Sequence, residues 1–406
     1  MASGHSSLGP MATGLAGSRR RLPGTGVERA IPPELCGRPA LAVPRARPRP
    51  PSFHHLRRKD GNMTLKRGVT LYALQDAYGR GGLGLEGCIA LVENMGAQGI
   101  EFLSDQMLEG AQNASEAAID EFNAIMDRHP LERVANDIFI NSSLFRNRWL
   151  TLEEQVASLE ADLRLAKRLG FPLVRLVSRT DPAVVPPVLP LAEKLGITMA
   201  VEVHAGMSFD HPLTAAWIEQ MRNLDNPHVG LVVDFGIYCR RYPEIATNYF
   251  RAQGLNEDVV KYIADIYASG SDGRRAFPRA TGDGNQDAYE FPEELTRLFK
   301  SPVDAVYATN ASGYENTPLD TLDEYLPWIK SFHAKFWEMV PDGVGGYQEA
   351  SIDYPAVIAR LKQLDYDGYL CSEYEGQRFI VPGDPIPDVE QLTRHQQMLQ
   401  TLIDGK

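Results

Sequence analysis

Four apolar runs in the second half of the chain each close on a side chain that can hold a metal ion: Glu202 in ITMAVEVHAG, Asp234 in VGLVVDFG, His333 in WIKSFHAKFW and Glu373 in GYLCSEYEG. Three carboxylates and one imidazole make a hard donor set that suits a divalent cation such as Mn²⁺ or Mg²⁺. Any one acid at a strand end is more often a helix cap or a surface ion pair. The four together carry more weight, because each run is β-branched or aromatic, breaks on a charged group and is followed by loop or helix signals. In a parallel α/β barrel the strand ends converge on one rim, where ligands far apart in sequence can meet.

Side chains two apart on a strand face the same way. His204 is therefore expected beside Glu202, and Lys335 beside His333. An imidazole next to a metal carboxylate can take or give a proton near neutral pH; the competing assignment for His204 is a packed histidine bonded to a backbone carbonyl. Lys335 either orients a substrate oxygen or pairs with a carboxylate. Trp337, with Phe336 and Tyr374, either walls a sugar or its substituent or belongs to the core. Glu375 is either a partner to a ligand or a solvated loop acid. A divalent ion at such a site would hold two oxygens of a hydroxyketone and stabilise the enediolate formed when a neighbouring C–H proton leaves. Reprotonation elsewhere gives isomerisation or epimerisation, and loss of a β-substituent gives elimination; the ligands alone do not choose.

Positioning these residues requires strands, and from Lys66 onward strand-like and helix-like segments alternate as eight βα units. The strands are RGVTLYAL, GIEFLS, ERVANDIFINS, LVRLVS, ITMAVEVH, HVGLVVDFG, WIKSFHAKFW and YDGYLCSEYEG. Among the helices, TLEEQVASLEADLRLAKRLG is the clearest, with Thr151 and Glu154 in capping-box spacing and Gly170 beyond its cationic end. Ser115 is the expected cap of the helix SEAAIDEFNAIMDRH. The predicted fold is an α/β protein, a (β/α)8 TIM barrel with a long insertion between strands six and seven, from Tyr238 to Lys330, of the sort that forms lids or partner surfaces.

The first 62 residues, rich in Arg, Pro and Gly, lack apolar periodicity and read as a disordered basic leader (1–62) ahead of the barrel (63–406). Met63 opens MTLKRGVTLYAL directly into the first strand, so the leader reads as either an upstream translation extension or a tail without catalytic duty. It carries eleven Lys/Arg and three Asp/Glu, so the chain's net charge of −12 becomes −20 in the remainder. That acidic body argues against nucleic acid as partner, whose binding needs clustered Lys and Arg. No apolar stretch approaches ~18 residues, so no membrane span is expected. The four cysteines are scattered without a Cys-x-x-Cys pair, which suits a reducing cytoplasm.

At these residues the chain resembles the xylose-isomerase-like barrel superfamily of sugar isomerases, epimerases and dehydratases, over roughly Met63 to the C-terminus. Its metal is held by a Glu, Asp, His, Glu series on successive late strands, which maps here onto Glu202, Asp234, His333 and Glu373. Within it, EVHAGMSFDHP, DFGIYCRRYP and HAKFWEM look most like the larger subunit of bacterial C-glycoside deglycosidases. The resemblance implies a metal-dependent carbon–carbon lyase acting on a 3-keto C-glycoside, with His204 as base and a small β subunit beside the barrel. The alternative it implies is a ketose isomerase or epimerase working through an enediolate, with Glu202 and Glu373 as paired acid–bases.

Overall fold

Runs of aliphatic and aromatic residues buried along their whole length build parallel strands, because helices must cover the outer face of such a sheet. The computed structural model describes residues 65–270, 291–314 and 316–405, together with the backbone of two short strands, Arg279–Ala280 and Ala288–Tyr289. Eight strands close into a barrel: β1 Lys66–Thr70, β2 Gly99–Leu103, β3 Glu132–Ile138, β4 Leu173–Leu176, β5 Thr198–Val203, β6 Val229–Asp234, β7 Ile329–Phe336 and β8 Tyr369–Tyr374. Every neighbouring pair is parallel, and β8 closes the ring against β1. This is the expected (β/α)8 barrel.

Several helices start where a side chain satisfies their first N–H groups. Ser115 Oγ accepts from the Ala118 N–H at the start of α2, Glu116–Arg128. Thr151 and Glu154 form the expected capping box at the start of α3, Leu152–Arg168. The other helices flanking the strands are α1 Gly84–Asn94, α4 Val185–Leu195 and α5 Pro212–Leu224, then α9 Tyr354–Gln363 and α10 Asp388–Asp404. RGVTLYAL is not one strand, as the sequence suggested. β1 stops at Thr70, whose hydroxyl accepts from the Tyr72 N–H, and Leu71–Leu74 turn into a 3-10 helix. Among the described residues between β6 and β7, the longer helices are α6 Glu244–Arg251, α7 Glu257–Ala268 and α8 Pro302–Ala311, with single helical turns at Glu293–Thr296 and Thr321–Tyr325. Thr317 N–H donates to Ile237 O at 2.8 Å and ties the end of this segment to the loop after β6. Among the described residues no helix is long and apolar enough to cross a membrane. The leader expected at residues 1–62 lies outside the described residues.

Most of the apolar mass packs between strands and helices, as in the Phe102, Phe122 and Phe171 rings, whose centroids are 4.6 to 6.0 Å apart. Inside the barrel a separate small group, Ala135, Leu173, Ala200 and Val232, packs together from β3, β4, β5 and β6. Because strand side chains repeat every second residue, the next inward positions on those four strands are Asp137, Arg175, Glu202 and Asp234. An apolar plug thus sits directly beneath a charged layer. On β2 the floor under Glu101 is Gly99, where a Cβ would lie 2.6 Å from Val134 Cγ2 and 2.9 Å from the Glu132 carbonyl oxygen. Gly99→Ala is expected to destabilise the fold by about 1–3 kcal/mol through overpacking. A lowered midpoint in urea unfolding, followed by far-UV circular dichroism, is the check; an unchanged midpoint would contradict so tight a floor.

Candidate functional site

Two positions beyond the plug, the barrel interior becomes almost wholly ionic. His333 on β7 is completely buried, and its two ring nitrogens face carboxylates on opposite sides: Nδ1 is 2.8 Å from Glu202 Oε1 and 3.4 Å from Glu373 Oε2, while Nε2 is 2.9 Å from Glu101 Oε1. Arg175 on β4 donates to Asp137 Oδ2 at 2.8 Å and stands 3.6 Å from Glu202 Oε2 and 4.0 Å from Glu101 Oε1. Lys335 Nζ, two residues after His333, lies 2.6 Å from Asp234 Oδ2, 3.3 Å from Glu373 Oε2 and 3.4 Å from Glu375 Oε1. It also donates to His204 Nε2 at 2.9 Å.

The four residues singled out as ligands fall into two overlapping groups. Glu202, His333 and Glu373 offer donor atoms within 4.8 Å of one another, and so do Glu202, His204 and Asp234. Glu202 is common to both, and the Lys335 ammonium stands between Asp234 and Glu373. Trp337 does not line an accessible wall as anticipated. It is completely buried and meets Tyr314 edge-on at 5.0 Å, because Trp337 lies beyond the end of β7, where the chain has turned. Phe336 is buried against His395, with ring centroids 4.0 Å apart. Glu375 is a buried acid rather than a solvated one, paired with Arg378 at 2.8 Å.

Sequence reasoning passed over Glu101, Asp137 and Arg175. The signal was present: each is an ionisable residue in a strand, in the same phase as a small or aliphatic residue two positions earlier.

Burial opposes every charge here, so the observed directions show which neighbours win. Burial raises the Glu202 carboxyl, but Arg175 and His333 outweigh it and hold that group well below the usual range. Glu373 is likewise depressed against its burial, by Lys335 and then His333. Burial lowers His333, yet Glu101, Glu373 and Glu202 together hold it well above an ordinary imidazole. Asp137 goes the other way: burial, reinforced by neighbouring Glu101, pushes it well above the carboxylate range despite Arg175.

Six buried carboxylates, Glu101, Asp137, Glu202, Asp234, Glu373 and Glu375, face Arg175, Lys335 and the edge residue Arg378. With every acid ionised and His333 charged, two negative charges remain in excess, and a protonated Asp137 leaves one. Asp234 Oδ2 and Glu373 Oε2 are buried without an aligned hydrogen-bond donor, although the Lys335 ammonium is near both. Unneutralised buried charge is costly. A divalent cation among Glu202, Asp234, His333 and Glu373 fits this deficit and this donor set.

His204 differs from the rest. Its side chain is 33% exposed, whereas those of Lys335, Asp234 and Glu202 are below a twentieth. Its Nδ1 lies 2.9 Å from the Ala205 carbonyl oxygen, an atom that can only accept, so Nδ1 carries the hydrogen and Nε2 presents a lone pair to the cluster. A cavity of about 660 Å³ lined by Arg240, Tyr347, Ser351 and Met398 contains none of these residues. A smaller one of about 290 Å³ opens at the ends of β2 and β3, by Ser104 and Phe139.

A family model described as xylose isomerase-like TIM barrel matches residues 89–402. The chain is 29% identical over 322 residues to the 3'-dehydrocarminate deglycosidase alpha subunit of a Microbacterium species, covering 78% of this chain and 90% of that protein. It is 26% identical over 325 residues to a C-glycoside deglycosidase alpha subunit of Arthrobacter globiformis, covering 78% and 86%. Among solved structures, a sugar phosphate isomerase/epimerase from Parabacteroides distasonis shares the fold at a TM-score of 0.50 and 10% identity, over 84% of this chain and 99% of that one.

Glu101 links this electrostatics to stability. Burial raises its carboxyl, but His333, Asp137 and Arg175 bring it down from 4.5 to about 2. A carboxyl depressed in the folded state stabilises the fold above its ordinary value and loses that contribution as pH falls towards the folded one. The chelated protein is therefore expected to lose stability progressively from pH 4.5 towards pH 2. Glu101→Gln should flatten part of that loss. Urea midpoints between about pH 6 and about pH 3 test this; parent and variant profiles of equal slope would contradict it.

Proposed function

The chain belongs to the xylose isomerase-like TIM barrel family, and on that premise we propose that it is the metal-dependent larger subunit of a carbon–carbon lyase that releases the aglycone from a 3-keto C-glycoside. The single observation that carries this reading is His204, an imidazole a third exposed among otherwise buried acids and bases, held with its Nε2 lone pair towards the cluster by the Ala205 carbonyl. The names of the deglycosidase alpha subunits supply the C-glycoside substrate class and a further subunit.

Glu202, Asp234, His333 and Glu373 would hold the cation, Mn²⁺ or Mg²⁺ by donor type. When bound, that ion supplies Lewis-acid stabilisation of the charge that develops on the sugar keto oxygen. His204 Nε2 takes the proton from the carbon next to the ketone. The electron pair of that C–H bond forms the ring double bond, the C–C bond to the aglycone breaks, and the departing carbon takes up a proton. Lys335, released from neutralising Asp234 and Glu373, donates to a substrate oxygen. Phe139, whose ring lies 5.5 Å from the Arg175 guanidinium, begins a segment with exposed Leu144, Phe145 and Trp149. Those side chains give an aromatic aglycone an apolar surface at the rim. Cys88, Cys239 and Cys371 are free and buried, in keeping with a cytoplasmic setting, and the acidic body is unsuited to nucleic acid.

A ketose isomerase or epimerase would use Glu202 and Glu373 as its acid–base pair. Both are buried and held ionised by their neighbours, which makes them better ligands than proton carriers. His204→Ala is expected to cut aglycone release from a 3-keto C-glucoside by ~10²–10⁴-fold while metal content stays at the parent level. Chromatography of the products and elemental analysis read the two outcomes. Release at the parent rate would remove His204 as base. Partner-independent exchange of a ketose C–H proton with deuterated solvent would favour the epimerase instead.

A further inference from the structure

We propose that Glu101 is the positioning carboxylate of His333, the group that fixes which imidazole nitrogen meets the cation; the proposal rests on the metal reading above. Glu202 and Glu373 both approach His333 from its Nδ1 side, at 2.8 and 3.4 Å, whereas Glu101 alone among the described contacts meets Nε2, at 2.9 Å. The lone pairs of the two ring nitrogens diverge, so one cation cannot sit on both sides. The ligand set Glu202, His333, Glu373 places it on Nδ1. Nε2 then keeps its hydrogen and donates it to Glu101 Oε1. Metal-bound histidines commonly donate their second N–H to a carboxylate, which orients the ring and makes it a stronger donor.

The surroundings of Glu101 favour this role over that of a ligand. It is completely buried at the centre of β2, over the tight floor at Gly99. A second donor cluster, Glu101, Asp137 and His333, exists on the Nε2 side, but Arg175 already fills it, 2.8 Å from Asp137 and 4.0 Å from Glu101. A cation there would meet a guanidinium. Arg175 also reaches Glu202 Oε2 at 3.6 Å, so β2, β3 and β4 together brace two ligands that stand on β5 and β7. None of the three bracing strands supplies a ligand itself.

Co²⁺ is the probe, because its visible absorption reports coordination without requiring turnover. The full chain is stripped with chelator, its thermal unfolding is recorded by circular dichroism, and Co²⁺ affinity and spectrum are measured for the parent, Glu101→Gln, Glu101→Ala and Glu373→Gln. Glu101→Gln keeps the shape and an acceptor oxygen, so it serves even where the alanine variant fails to fold. Affinity is expected to fall about tenfold in Glu101→Gln and about a hundredfold in Glu101→Ala, with a shifted visible band. Equal affinity and an unchanged spectrum in both variants would make Glu101 a structural ion pair only. Loss of binding in Glu101→Gln, with Glu373→Gln retaining it, would make Glu101 a ligand and move the cation to the Nε2 side. A parent that binds no divalent ion would overturn the metal reading, and this inference with it.

Discussion

Everything at the mouth of this barrel depends on mutual neutralisation of buried charge. Carboxylates from β2, β3, β5, β6 and β8 point into one water-poor interior, and an isolated ion there would cost several kcal/mol. The structure answers with Arg175, Lys335 and a doubly engaged His333, each of which touches two or more acids. No pair can be removed without stranding a third group. The cluster therefore behaves as one unit, and its net negative balance gives the interior its preference for a further cation.

Much of this was legible in the sequence because strand geometry has a period of two. Glu202 with His204, and His333 with Lys335, were expected side by side on that ground, and both pairs reach the same cluster. The barrel was legible because eight apolar runs alternate with amphipathic segments. The finer grouping was not. Which strand ends approach each other depends on stagger around the ring, and the β6–β7 register shifts between Leu231 and Val232. That stagger sets Asp234 beside His204 and Lys335. Of the two assignments open for Trp337, the structure takes the core one: periodicity holds only within the strand, and Trp337 lies just past it.

The two histidines show how environment divides roles that composition cannot. His333 is enclosed by acids on both ring edges, which keeps it charged in the absence of a metal and makes it a ligand when one proton is displaced. His204 makes one bond to a backbone carbonyl and one to an ammonium, and is otherwise open. A carbonyl can only accept, so it selects a tautomer without adding charge. The packed-histidine assignment and the base assignment are therefore compatible: the backbone bond that would mark a merely structural histidine is the one that aims Nε2.

Lys335 brings these strands of reasoning together. Its ammonium is completely buried and close to Asp234, Glu373 and Glu375, so it neutralises the acids that a divalent ion would otherwise satisfy. One ammonium supplies a single positive charge to three acids, and the layer as a whole still carries a net negative balance. A doubly charged ion at the proposed ligand set would relieve Asp234 and Glu373 of their dependence on Lys335 while leaving Glu375 to hold it. The same side chain then has hydrogen-bond donors to spare beside His204, where a substrate oxygen must lie if Nε2 is to reach the adjacent C–H. On the proposed reading, charge balance in the barrel would couple cation binding to the assembly of the substrate-facing donor, through one lysine placed two residues after a proposed ligand on the same strand.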